Sequence, residues 1–249
     1  MRIPLIMLLA IIAAAQPLWA APEKSRMVRY PSGSETVSGY LALPENPGKH
    51  PAVIVIHEWW GLNDWVKGEA DKLASHGYVA LAVDLDRGKS TTDPEEAHEL
   101  SRGLPQDRAV GDLKAAFEYM ASRADVEADK IGVIGWCMGR GYSILLAENE
   151  AKLAACVVNY GALPTEQANI ERIQAPVLGN FGAEDRGINP DSVHVFANAM
   201  KAAGKSVDVK IYGGAGHAFE NPNNKTGYRP EAAKDAWGRT LSFFEEKLK

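Results

Sequence analysis

Residues 131–139 read Ile131-Gly132-Val133-Ile134-Gly135-Trp136-Cys137-Met138-Gly139. Ile131 to Ile134 reads as a strand buried on both faces, and a helical pattern opens at Met138 and runs to about Glu148. Between strand and helix stands Gly-x-Cys-x-Gly, the strand–turn–helix elbow usually built around serine. Its glycines permit a tight turn that lifts Cys137 to the head of the helix. A helix N-terminus offers free N–H groups and partial positive charge, and both favour a thiolate over a thiol. Cys137 is thus a candidate nucleophile, and the Met138 N–H a candidate donor to an oxyanion. The plainer alternative is a packed cysteine in a tight turn.

Outward from this stretch the same alternation repeats. Ala52 to Ile56 is a continuous apolar, β-branched run. Tyr78 to Val83, Ala154 to Asn159, Pro176 to Phe181 and Val207 to Ile211 read as further strands. Helices are expected over Asp64–Ser75, Pro94–Arg102, Asp107–Arg123, Asp191–Ala203 and Pro230–Leu248. Met27 to Tyr30 and Glu35 to Ala42 precede them as a short β-rich stretch. Strands alternating with helices predict an α/β fold with a mostly parallel central sheet flanked by helices. Sites in such sheets form beyond the carboxyl ends of the strands. That edge collects His57-Glu58, Asp84 to Arg87, Cys137, Tyr160-Gly161, Glu184-Asp185 and His217.

A thiol nucleophile needs a base and a group to orient it. His217 follows a glycine-rich approach, Gly213-Gly214-Ala215-Gly216, right after a strand. Asp185 follows the strand ending at Phe181, with Glu184 as its rival. The order Cys137, Asp185, His217 matches the nucleophile, acid and histidine of the α/β-hydrolases. His50, His76, His98 and His194 read as surface or packing residues. In this fold the loop after the most apolar strand supplies the second oxyanion donor, here the Trp59 N–H. Glu58 would lie near the sulfur, because a carboxylate ending an apolar strand is unusual without a partner. Trp59 and Trp60 either wall a substrate pocket or pack in the core.

The 249 residues, 46% of them apolar and 24% charged, fit one globular domain over 21–249. The net charge of −5 with interspersed signs shows no basic stripe, so no nucleic-acid partner is expected. Residues 1–20, MRIPLIMLLAIIAAAQPLWA, have the layout of a secretory signal peptide cut after Ala20. The Ile3–Ala15 run is shorter than the about 20 residues a spanning helix needs. The mature protein is therefore expected to be exported, periplasmic or secreted, without a stable membrane anchor. Cys156 lies in an apolar strand and reads as a small core residue. No metal-ligand cluster and no cofactor motif stand out, and a monomer or small homo-oligomer is expected.

Taken together, these residues resemble the dienelactone hydrolase family over roughly residues 25–248. The marks are His57-Glu58-x-x-Gly61-Leu62-Asn63, Asp84-Leu85 followed by Arg87, the Cys137 elbow, Tyr160-Gly161, Gly182-x-x-Asp185 and His217-x-Phe219. The resemblance implies an α/β-hydrolase fold and attack by the cysteine on a lactone carbonyl, supported by the aspartate–histidine pair. It implies that Glu58 pairs with the resting thiol, that Arg87 holds a substrate carboxylate, and that Tyr160 and Phe219 border the substrate. Two positions depart from the pattern. Asn221 stands where a second arginine is expected, and Arg140 occupies a usual glycine position. An anionic lactone should therefore bind less well here than in a two-arginine site, and neutral activated esters should be accepted comparatively well.

The nucleophile itself narrows the substrate. A thiol ionises near pH 8.5, whereas the alcohol expelled from an ordinary ester is closer to water at roughly 15.7. The intermediate would return to reactants by losing the thiolate unless the leaving group is good. Enol lactones, aryl esters and thioesters meet that condition. A general carboxylesterase or thioesterase on the same residues is the alternative enzyme. A thiol redox protein or a ligand-binding protein is the alternative outside hydrolysis, although no Cys-x-x-Cys pair is present.

Overall fold

The computed structural model describes residues 24–249, apart from the side chains of residues 138–140. The leader expected over residues 1–20 lies outside the described residues.

The chain opens with β1 (Ser25–Ser32) and β2 (Glu35–Ala42), an antiparallel hairpin whose register runs from Ser25↔Ala42 to Ser32↔Glu35. Gly33 turns it at φ 57°, a conformation open to glycine without strain. β3 (His50–Ile56) follows, then α1 (Asp64–Ser75), whose first turn is capped by the Asn63 side chain accepting from the Val66 N–H. β4 (Val79–Val83), α2 (Pro94–Arg102, capped by Asp93), α3 (Gln106–Ala121), β5 (Val126–Trp136) and α4 (Met138–Asn149) continue the alternation. β6 (Ala155–Asn159), α5 (Gln167–Arg172), β7 (Val177–Gly182), α6 (Pro190–Ala202), β8 (Val207–Tyr212) and α7 (Pro230–Leu248) complete it.

The eight strands form one sheet in the order β1-β2-β4-β3-β5-β6-β7-β8. Only the β1–β2 and β2–β4 pairings are antiparallel. Alternate residues of β3 serve opposite faces. Ala52, Ile54 and Ile56 join the core cluster that includes residues of α3, α4 and α6, while Val53 and Val55 join the cluster that includes residues of α1 and α7. That two-sided burial is why the strand carries a continuous apolar run.

β5 begins at Val126, five residues before the apolar stretch that announces it. Its leading residues Glu127, Asp129 and Lys130 are polar, and its pairing with β3 shifts register between His50 and Ala52. A strand end facing water carries no period-2 apolar signal. The short helix α5 buries only Ile170, too little to mark it in the sequence. Among the described residues no helix is long and apolar enough to cross a membrane.

Candidate active site

The carboxyl ends of the six parallel strands β3 to β8 lie at one edge. β5 runs straight into Cys137, which caps α4 with φ 54° and ψ −117°. This left-handed backbone, rare for a residue with a side chain, is what turns the thiol out of the sheet. The Cys137 N–H donates to the Asn159 carbonyl at the end of β6 at 3.1 Å, pinning the turn. Close packing of the elbow falls on Gly141 and Gly161. A Cβ on Gly141, itself at φ 57°, would stand 2.1 Å from the Ala162 carbonyl oxygen, and one on Gly161 would stand 3.2 Å from Gly141 Cα. Gly135 is under no such pressure, its nearest neighbours being 3.4 Å from a Cβ.

His217 lies in the loop after β8 and Asp185 in the loop after β7. His217 Nδ1–H donates to Asp185 Oδ2 at 2.7 Å, and His217 Nε2 faces Cys137 Sγ at 3.1 Å. The three expected residues therefore form one chain of contacts. Asp185 is buried and its other oxygen accepts from the Gly187 and Ile188 N–H groups. Burial pushes its carboxyl upward, but the donors around it outweigh this and hold it below the usual range. Burial likewise pulls the His217 imidazolium down, yet Asp185 and the sulfur together raise it to about 10. At neutral pH the ring keeps both protons, and Nε2–H points to the sulfur. Glu184, the rival acid, is exposed.

Glu58 stands two residues after β3 and is 1% exposed. Its Oε2 accepts from Asn221 Nδ2 at 2.6 Å and its Oε1 from the Tyr160 hydroxyl at 3.3 Å. Burial raises its carboxyl to about 7, against the opposing pull of those two donors. The expected pairing of Glu58 with the resting thiol is replaced here. The sulfur faces His217, while the carboxylate takes Asn221 and Tyr160. Asn221, noted in the sequence only as a missing arginine, is a buried partner to Glu58.

His57 was given no part by the sequence. It is fully buried, and the Leu85 N–H donates to its Nε2 at 3.2 Å. The proton then sits on Nδ1 and is donated to the Glu58 carbonyl at 2.6 Å. That bond fixes the turn carrying Trp59 and Trp60, which closes with the Gly61 N–H donating to the Glu58 carbonyl at 3.2 Å.

Cys137, His217 and Glu58 open into a cavity of about 1370 Å³. Trp59, Trp60 and Trp65 wall it together with asparagines and threonines. Among the described residues lining it, Lys225 is the one lysine or arginine. His98 of α2, expected to be a bystander, stands edge-on to Trp59 at 5.0 Å and joins the wall. Only its helix position was legible, because its contact is with a residue far away in sequence.

Three expectations about the substrate wall are corrected, at Arg87, Phe219 and Tyr160. Arg87 does not line the cavity. Its guanidinium donates to Asp112 Oδ2 at 2.7 Å and Oδ1 at 3.2 Å, and to Glu35 Oε2 at 2.8 Å. A planar fork finds its best match in a carboxylate, and the buried Asp112 of α3 draws it away from the site. Phe219 is also absent from the cavity wall. It is fully buried against Tyr160 and Tyr212, with ring centres 5.6 and 5.1 Å apart. Tyr160 is buried too and reaches the site only through Glu58 and the edge of the His217 ring.

Comparison with known proteins identifies the family. The model of the dienelactone hydrolase family matches residues 37–248. The chain belongs to the dienelactone hydrolase family. Within it, "Protein usf" of Aquifex pyrophilus is 34% identical over 230 residues, covering 90% of this chain and 99% of that one. A Bradyrhizobium protein named "Probable 2-oxo-3-(5-oxofuran-2-ylidene)propanoate lactonase" is 32% identical over 230 residues, covering 87% and 92%. The solved structure of a dienelactone hydrolase-like promiscuous phosphotriesterase from metagenomic libraries superposes with a TM-score of 0.83 at 26% identity, covering 90% and 98%. The sheet order and flanking helices are those of the α/β-hydrolase fold that dienelactone hydrolases share.

Proposed function

We propose that this hydrolase opens lactones or cleaves activated carboxylic esters through Cys137, His217 and Asp185, by way of a thioacyl-enzyme. The observation carrying this reading is the pair of contacts at His217, 3.1 Å to Cys137 Sγ and 2.7 Å to Asp185 Oδ2, at the mouth of a large cavity. The sulfur attacks the acyl carbon and the carbonyl oxygen takes the negative charge. The Met138 N–H, at the unpaired start of α4, and the Trp59 N–H would receive that charge. The carbonyl re-forms as the C–O bond to the leaving group breaks, and His217 Nε2–H gives its proton to the departing oxygen. A water then adds to the thioester, losing its proton to His217, and the acid leaves as the sulfur is released. Asp185 holds the ring in place and stabilises its charge.

The lining favours neutral acyl compounds. Arg87 is committed to Asp112 and Glu35, and Asn221 to Glu58, so the two positions expected to bind a carboxylate are both occupied by protein groups. Three indoles offer apolar surface instead. A lactone or ester of bulky aromatic character with a weakly basic leaving group fits best. The test is hydrolysis of a panel of enol lactones, aryl esters, alkyl esters and thioesters by the wild type and Cys137→Ala. Turnover of the aryl ester with a mass increment of one acyl group on Cys137 is expected. Undiminished turnover by Cys137→Ala would remove the cysteine from the reaction. A redox role is less favoured, because Cys156 is buried in β6. The apolar run Ile3–Ala15 supports export, which N-terminal sequencing of the mature protein checks.

A further inference from the structure

Trp65 also borders a second, smaller cavity of about 200 Å³. Aromatic and charged side chains share its walls. Trp65 meets Trp136 edge-to-face at 5.3 Å, and Trp237 of α7 and Tyr228 close the other sides. Two carboxylates reach it, Glu69 and Glu220. Glu69 is already paired, because Lys72 Nζ donates to it at 2.7 Å. The same ammonium stands 5.6 Å from the centre of a Trp237 ring, so the rim already draws one cation to an indole face. Glu220 is only half satisfied. Its Oε2 accepts from Trp136 Nε1 at 3.0 Å, while its Oε1 is buried and accepts no hydrogen bond.

A buried carboxylate oxygen without a donor calls for a partner. Water would need two to four polar partners around that oxygen, and the indole donor Trp136 Nε1 is already committed to Oε2. A hard metal ion would need about six oxygen ligands. An organic cation needs neither, because indole faces attract positive charge directly. We propose that this cavity binds a small organic ammonium ion, its alkyl groups against Trp65, Trp136 and Trp237 and its charge towards Glu220 Oε1. The proposal stands apart from the reaction assigned to Cys137.

Burial, then the Glu69 and Glu58 carboxylates, pushes Glu220 up to about 8. At pH 7 it holds a proton that a bound cation must displace. The other titratable groups facing the cavity are Glu69 and Lys72 of α1, Lys234 of α7 and Tyr228. Binding should therefore tighten as Glu220 ionises.

Tetramethylammonium chloride titrated into the full chain by calorimetry, against sodium chloride at matched ionic strength, tests the site. Saturable binding beyond the sodium control is expected, about tenfold tighter at pH 9 than at pH 7. Trp237→Ala and Glu220→Gln should each weaken it by about fivefold or more. No saturable binding at pH 9, or an unchanged affinity in either folded variant, overturns the proposal. If neither variant folds, the wild-type profile decides, and equal affinity at pH 7 and pH 9 overturns it.

Discussion

Asn221 Nδ2 donates to Glu58 Oε2 at 2.6 Å, joining the loop after β8 to the turn after β3 inside the protein. Above pH 7 Glu58 is largely ionised and depends on that donor. Asn221→Ala should therefore destabilise the fold by about 1–3 kcal/mol at pH 8, with a smaller loss at pH 5. Urea unfolding at both values measures this, and equal losses would refute the coupling.

Glu58 should also set part of the pH dependence of stability. Its folded pKa, about 7, lies above the ordinary 4.5. Between those values the folded state binds the proton more tightly than the unfolded chain. The contribution is thus fully present below pH 4.5 and is lost as pH rises through about 7, a change of about 3 kcal/mol. Glu58→Gln should flatten that slope. Parallel unfolding curves for wild type and variant at every pH would refute it.

Iodoacetamide should modify Cys137 alone in the native protein and abolish esterase turnover. Cys156 is fully buried in β6, and burial pushes its thiol far up, so it should react only after unfolding. Intact-mass analysis counts the adducts, and full activity in singly alkylated protein would contradict the assignment.

His217→Ala should lower kcat by about 10²-fold or more, and Asp185→Asn should impair turnover with the fold intact. Glu184→Gln should be mild, since that side chain is exposed. A severe Glu184→Gln beside a mild Asp185→Asn would reverse the roles.

Arg87→Ala should act on stability rather than specificity. It strands the buried Asp112, which keeps only the Ser32 hydroxyl at 2.7 Å. A loss of about 2–3 kcal/mol is expected, reduced by the partial exposure of the guanidinium. KM for anionic and neutral esters should change alike. A selective rise for the anion would return Arg87 to the substrate site.

Legibility in the sequence followed the range of the interactions involved. The elbow, the buried strands and the order Cys137, Asp185, His217 are local patterns, and the strand ends place all three at one edge. Partnerships across the fold left no local mark. Nothing in the sequence near Asn221 announces that its amide will meet Glu58. Nor does Arg87 reveal that α3 will bring Asp112 within 2.7 Å. Asp84 and Asp86 stand nearer to it in sequence, yet Arg87, at φ 56°, pairs with Asp112 and Glu35. His98 and Trp65 join the cavity wall for the same reason, carried there by α2 and α1.

The left-handed backbone at Cys137 sets function against durability. Holding a side-chain-bearing residue at φ 54° and ψ −117° costs on the order of 1–3 kcal/mol, and glycine would adopt the same turn with little strain. Selection for a sturdier fold alone would therefore erase the thiol. With Cys137 as the proposed nucleophile, the chain gives up thermal robustness for reactivity at this position, and a Cys137→Gly variant should be hardier, inert and still shaped to hold its ester.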